Sequence, residues 1–197
     1  IMRNTINKNI ILASSSVHRK KLLAKYISHF QCVNPNVNEA EFNKETGKEL
    51  CIRLARDKAQ IVANDNPNSI VIGSDQVATF NQKNLGKPFT YENAFKTIMK
   101  LSGKNVFFNT GVVIISQNKG IDLSYIDQTI IAFKPFKDTD LIQYLDSQDD
   151  FRTTAGVKTE SEMFQQLISE ITCADKEAII GLPIEWTLSQ LDNIFLI

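Results

Sequence analysis

Ile10-Ile11-Leu12-Ala13-Ser14-Ser15-Ser16-Val17-His18-Arg19-Lys20-Lys21-Leu22-Leu23 holds the transition on which the fold turns. Its first four residues form a short unbroken apolar run, the mark of a strand buried on both faces. From residue 17 to 27 the period changes, and Leu22, Leu23, Tyr26 and Ile27 fall on one face of a helix. A buried strand feeding a helix through three serines is the opening unit of an α/β sheet. Outward from it, residues 49–63 read as a helix, with Leu50, Leu54, Ala55, Lys58 and Ala59 at spacings of three and four. A strand follows at 69–72, then a hairpin over 76–85 turning at 81–84. Residues 91–101 form a helix stopped by Ser102-Gly103. Strands are expected at 106–116 and 124–133, helices at 138–145 and 161–171, a last buried strand at 178–182 and a closing helix at 184–195. Strands and helices interleave, but the adjacent strands in the middle require antiparallel pairing. The class is α/β with a mixed sheet.

At 197 residues the chain is expected to be one domain, 1–197. No repeat, low-complexity tract or Pro/Gly-rich linker divides it. Lys plus Arg and Asp plus Glu balance at 22 each. That balance counts against a general nucleic-acid binder or a protein of anionic membranes, both of which carry a basic excess. The basic first thirty residues keep single-stranded nucleic-acid binding as a minor alternative. The longest apolar runs, such as Val112-Val113-Ile114-Ile115, are far short of the ~20 residues that span a bilayer. The three cysteines, Cys32, Cys51 and Cys173, are widely spaced, with no CxxC or Cys/His cluster. They are expected to be buried small hydrophobes in a reducing, cytoplasmic setting. Trp186 and the twelve phenylalanines are expected in the core.

Three segments carry possible chemistry. Ser14-Ser15-Ser16 at a helix start is either an ordinary serine cap or an anion site. The following turn carries His18, Arg19, Lys20 and Lys21, cations that oppose the helix dipole unless an anion such as a polyphosphate binds there. Asp75, in Gly73-Ser74-Asp75-Gln76, follows an apolar strand and is either a catalytic or metal-binding acid at the strand's carboxyl end or a turn aspartate. Lys58 lies on the apolar side of its helix, where it snorkels or reaches an anion. Glu39, Gly86-Lys87-Pro88 and Glu160 say little singly.

Together they say more. Leu12-Ala13-Ser14-Ser15-Ser16-x-x-Arg19, Glu39, Leu54-Ala55-x-x-Lys58-Ala59, Ile72-Gly73-Ser74-Asp75-Gln76, Leu85-Gly86-Lys87-Pro88, Leu101-Ser102-Gly103, Thr110 and Gly181-Leu182-Pro183 resemble, in one colinear order, the Maf family of nucleoside triphosphate pyrophosphatases. The resemblance implies an elongated mixed sheet with flanking helices and two lobes around a cleft, similar to the inosine triphosphate pyrophosphatases. It implies hydrolysis of a nucleoside triphosphate to the monophosphate and pyrophosphate, with Asp75 as proton acceptor. Ser14, Ser16, Arg19, Lys58 and Lys87 fall at substrate-binding positions, and Glu39 and Asp75 at those holding a divalent cation, Mg²⁺ or Mn²⁺. His18, Gln76 and Glu160 fall at positions associated with base choice. Asp75-Gln76, and Thr154-Ala155-Gly156-Val157-Lys158-Thr159-Glu160, are closer to the 7-methyl-GTP branch than to the dTTP/UTP branch. Val17 and His18 depart from that branch, which has proline and tryptophan there. The expected substrate is 7-methyl-GTP. The alternatives are dTTP or UTP, and a nucleotide-binding regulator of cell division with little turnover. A homodimer is compatible with the resemblance; a stable nucleic-acid or membrane partner is not expected.

Overall fold

A computed structural model describes residues 2–5, 8–42 and 44–196. In chain order the elements are β1 (Ile10–Ala13), α1 (Val17–Ala24), β2 (Gln31–Val33), α2 (Gly47–Asp65), β3 (Ile70–Phe80), β4 (Lys83–Leu85), α3 (Tyr91–Met99), β5 (Asn105–Ser116), β6 (Ile121–Phe133), α4 (Asp138–Asp146), α5 (Glu162–Gln165), β7 (Ile168–Thr172) and α6 (Ile184–Phe195). The strands form a seven-stranded sheet in the order β2-β1-β3-β5-β6-β7, with β4 paired to β3. β2, β1 and β3 run parallel, and β3 through β7 pair antiparallel. The mixed α/β class expected from the sequence is what the chain adopts.

β1 is buried along its whole length, as its four apolar residues require. α2 starts at a capping box, in which Thr46 Oγ1 accepts from the Glu49 N–H and a Glu49 carboxylate oxygen accepts from the Thr46 N–H. Its apolar stripe then packs on β3 and β5 at two glycines. A Cβ on Gly73 would lie 2.2 Å from Ala55 O, and one on Gly111 would lie 2.9 Å from Cys51 O. Only glycine lets the helix backbone come that close. Ile10, Leu12, Ile72, Ile114 and Leu188 belong to one buried cluster, and Ala78, Ile98, Phe108, Ile131 and Tyr144 to another.

Several sequence expectations change. β3 runs unbroken from Ile70 to Phe80, so Asp75 sits inside a strand rather than after one. What ends there is its parallel neighbour, since β1 pairs with β3 only as far as Ala13 opposite Gly73. The hairpin turns over Asn81 and Gln82 alone, both at positive φ (48° and 60°), the primed-turn geometry that suits strand twist. The helix expected over 161–171 stops after Gln165, and β7 follows it. Ile168 and Ile171 have the β-branched side chains that fit a sheet, and β7 pairs with β6. The strand expected at 178–182 is a 3-10 turn over Ala178–Ile180, closed by Gly181 at φ 120°. β2 is short and largely exposed, with too little patterning to be seen in the sequence. Cys32 lies exposed on this edge strand, against expectation, whereas Cys51 is buried and Cys173 intermediate. Trp186 is half-buried and stacks on Tyr125, but Phe42 and Phe89 are 60% and 66% exposed and do not belong to the core. No helix among the described residues is long and apolar enough to cross a membrane.

Candidate active site

The first wall of the site is the turn between β1 and α1. Ser16 caps α1, its Oγ accepting from the Arg19 N–H at 3.3 Å, and Ser14 Oγ accepts from the Ser16 N–H at 3.1 Å. Val17 and His18 carry the neighbouring first-turn N–H groups that a helix cannot satisfy internally. No acidic residue occupies this turn. Arg19 folds back, and its Nε donates to the Gly181 carbonyl at 2.6 Å. That carbonyl also lies 2.9 Å from the buried Ser74 Oγ. The 3-10 turn before Gly181 therefore sets where the guanidinium sits.

The floor is a charged trio. Lys58 is 6% exposed and Asp75 is 8% exposed. Lys58 Nζ lies 2.6 Å from Asp75 Oδ1 and 2.6 Å from Glu39 Oε1. The apolar-face lysine of α2 thus reaches carboxylates. Desolvation pushes the Glu39 carboxyl up, but the Lys58 hydrogen bond and the charges of Lys58, Lys87 and Arg19 outweigh it and hold the group below its usual value. Burial lowers the Arg19 guanidinium, opposed by the charges of Asp75 and Glu39.

The two carboxylate oxygens share one lysine nitrogen, so they are at most about 5.2 Å apart (2.6 + 2.6). Mg²⁺ usually takes one or two protein carboxylates and fills its shell with waters and substrate phosphates. Glu39 and Asp75 fit that donor set. No group of three or more His, Cys, Asp and Glu suited to a closed metal cage occurs among the described residues.

These walls enclose a pocket of about 960 Å³. Ser14, Ser16, His18, Arg19, Glu39 and Lys58 line it, and so do Asp75, Gln76, Lys87 and Glu160. The ten residues that the resemblance places at substrate, base-choice or metal positions therefore line one space, although they come from positions 14 to 160. A profile of the Maf-like protein family matches residues 9–194. The chain belongs to the Maf family. It is 34% identical over 177 residues to the 7-methyl-GTP pyrophosphatase of Colwellia psychrerythraea, covering 90% of this chain and 88% of that protein. It is 36% identical over 175 residues to the 7-methyl-GTP pyrophosphatase of Hydrogenovibrio crunogenus, covering 89% and 87%. A third relative of the same name, from Pseudoalteromonas translucida, is 36% identical over 182 residues, covering 92% and 89%.

Within this Maf pocket the surroundings of Gln76 and Glu160 limit what each can offer a base. Gln76 Nε2 lies 3.0 Å from Thr110 Oγ1, 2.9 Å from Ile179 O and 3.3 Å from Ala178 O. Its amide donors tie β3 to the 3-10 turn and are not free for a base edge. Glu160 is exposed, so any pull on a cationic base is the screened kind, about 1 kcal/mol at 4 Å in water. Sequence reasoning missed the Gly181 carbonyl, whose role depends on a long-range contact. It also missed Phe89 and Arg152, both of which line the pocket. The only sequence signal for Phe89 is an apolar residue directly after Gly86-Lys87-Pro88.

Proposed function

We propose that this Maf protein hydrolyses a nucleoside triphosphate between its α- and β-phosphates, giving the monophosphate and pyrophosphate, with 7-methyl-GTP its preferred substrate. The observation that carries the reading is the Lys58 bridge between Asp75 and Glu39, placed in the same pocket as a capped helix N-terminus and Arg19. Relatives about a third identical over most of the chain are named for 7-methyl-GTP, which favours that base.

The triphosphate lies along the Ser14–Ser16 turn, where serine hydroxyls and first-turn N–H groups donate to its oxygens. Arg19, Lys58 and Lys87 offset its charge as it redistributes in the transition state. Lys58 occupies Asp75 Oδ1, which leaves Oδ2 to orient the attacking water and take its proton. Glu39 and Asp75 would hold a divalent cation, which, when bound, supplies further charge neutralisation on the phosphates. The water oxygen forms a new P–O bond at one of the two phosphorus atoms of the α–β bridge. The bridging P–O bond at that phosphorus breaks, and the bridging oxygen leaves with the electron pair, giving the monophosphate and pyrophosphate.

A panel of 7-methyl-GTP, GTP, dTTP and UTP at equal concentration, read by pyrophosphate release, tests the reading. The methylated nucleotide should lead. If dTTP or UTP leads, the substrate assignment is wrong; if no nucleotide releases pyrophosphate with Mg²⁺ or Mn²⁺ present, a nucleotide-binding regulator replaces the enzyme.

A further inference from the structure

Phe89 is the most exposed aromatic among the described residues, at 66%, and it lines the pocket. Its backbone is held at φ 62°, a conformation that a bulky L-residue rarely adopts. Contacts on both sides fix it there. The Phe89 N–H donates to Phe151 O at 3.0 Å, and the preceding Pro88 is buried, its carbonyl accepting from Asn93 Nδ2 at 3.2 Å. Thr90, the next residue, caps α3. The Gly86 carbonyl accepts from the Ala155 N–H at 3.0 Å, which ties this loop to the segment leading to Glu160. The surrounding hydrogen bonds thus hold a strained backbone that presents an apolar ring to solvent inside the pocket.

We propose that Phe89 is the base platform of the pocket, stacking its ring on the nucleobase; the inference rests on the nucleotide reading above and deepens it. Gln76 has spent its amide donors on Thr110 Oγ1 and the Ala178 and Ile179 carbonyls, and Glu160 is exposed, so neither supplies a flat contact surface. Every nucleobase has a π-face that an aromatic ring can cover. A 7-methylguanine carries a delocalised positive charge, so it gains a further cation–π attraction to the ring that a neutral base lacks. Phe89 therefore favours the methylated purine over the smaller, neutral uracil and thymine.

Calorimetric titration separates this role from catalysis, because it uses ligands that are not turned over. Phe89→Ala should weaken 7-methyl-GMP binding by ~10-fold, the scale of one stacked base, and GMP binding by less. Pyrophosphate, which has no base, should bind the variant as it binds the wild type. Phe89→Trp should match or exceed the wild type on 7-methyl-GMP. Phe89→Gly should raise the melting temperature by releasing the strained φ while losing base affinity, a divergence that a merely structural residue would not show. Equal 7-methyl-GMP affinity in wild type and Phe89→Ala overturns the proposal, as does a parallel loss of pyrophosphate binding or a wild type that does not bind 7-methyl-GMP. Failure of the enzymatic reading shows separately, as absence of pyrophosphate release from 7-methyl-GTP by the wild type.

Discussion

Lys58 is the residue on which the pocket's charge balance depends. Breaking a buried pair by removing one partner costs on the order of 3–5 kcal/mol, because it strands an uncompensated charge. Lys58→Met should therefore destabilise the chain by an amount near the lower end of that range, since Glu39 is half-exposed. Adding Asp75→Asn should restore much of the stability without restoring turnover; denaturant titration beside a pyrophosphate assay would show the split. Asp75→Asn alone should lower the rate by ~10²-fold or more while nucleotide binding survives. A chelator should abolish activity and Mg²⁺ or Mn²⁺ restore it; full activity in excess chelator would leave Glu39 as a partner of Lys58 only. Asp127 is a different case. It is 1% exposed, its Oδ1 has no hydrogen-bond partner, and burial, then the charge of Asp175, raise its carboxyl above the usual range. The folded chain holds that proton more tightly than the unfolded one. The contribution is thus fully present below about pH 4 and is lost as the pH climbs through the raised value. Asp127→Asn should raise the melting temperature at pH 7 and change it little at pH 4. A flat or lowered value at neutral pH would contradict the assignment.

At the scale of elements, α2 brings Lys58 to β3 because glycines admit it. A methyl group at Gly73 would meet both Ala55 O and Ala59 N, at 2.2 and 2.7 Å, and backbone cannot step aside as a side chain can. Gly73→Ala should cost at or above the roughly 1–3 kcal/mol of ordinary overpacking, and should lower activity beyond the stability loss by moving Lys58 from Asp75. Activity near wild type in the folded variant would show that the helix position is not what sets the pair. Much of this was legible in the sequence. The β1 run, the serine-capped α1, the apolar stripe of α2 with Lys58 inside it, and the long strands β5 and β6 carry strong local periodicity. What could not be read depends on partners far along the chain. Gly73-Ser74-Asp75 has the composition of a turn, yet β3 continues through it, because Ser74 Oγ finds Gly111 O and Gly181 O and α2 fills the space above Gly73. Residues 178–182 look like a buried strand, but Gln76 and Thr110 take the carbonyls that a strand would have paired. The amphipathic pattern at 161–171 fits a helix until β6 offers Ile168 and Ile171 a sheet edge. The site residues were found by resemblance, and their shared pocket is a product of this topology.

Across the whole molecule, β3 and β5 each cross from one hydrophobic cluster into the other. Ile72, Val112 and Ile114 lie in the cluster beside β1, whereas Ala78, Val106 and Phe108 lie in the cluster beside α3 and α4. Asp75 sits on β3 between the two. The strands act as girders under a span: neither end can rotate without twisting hydrogen-bonded backbone that both ends share. Amide exchange should therefore be slowest where β3 faces β5, from Ile72 to Ala78, and both clusters should melt in one calorimetric transition. Occupying the pocket loads the middle of those girders. Pyrophosphate should accordingly slow exchange in α1 and in α3 together, although the two helices belong to opposite ends of the sheet.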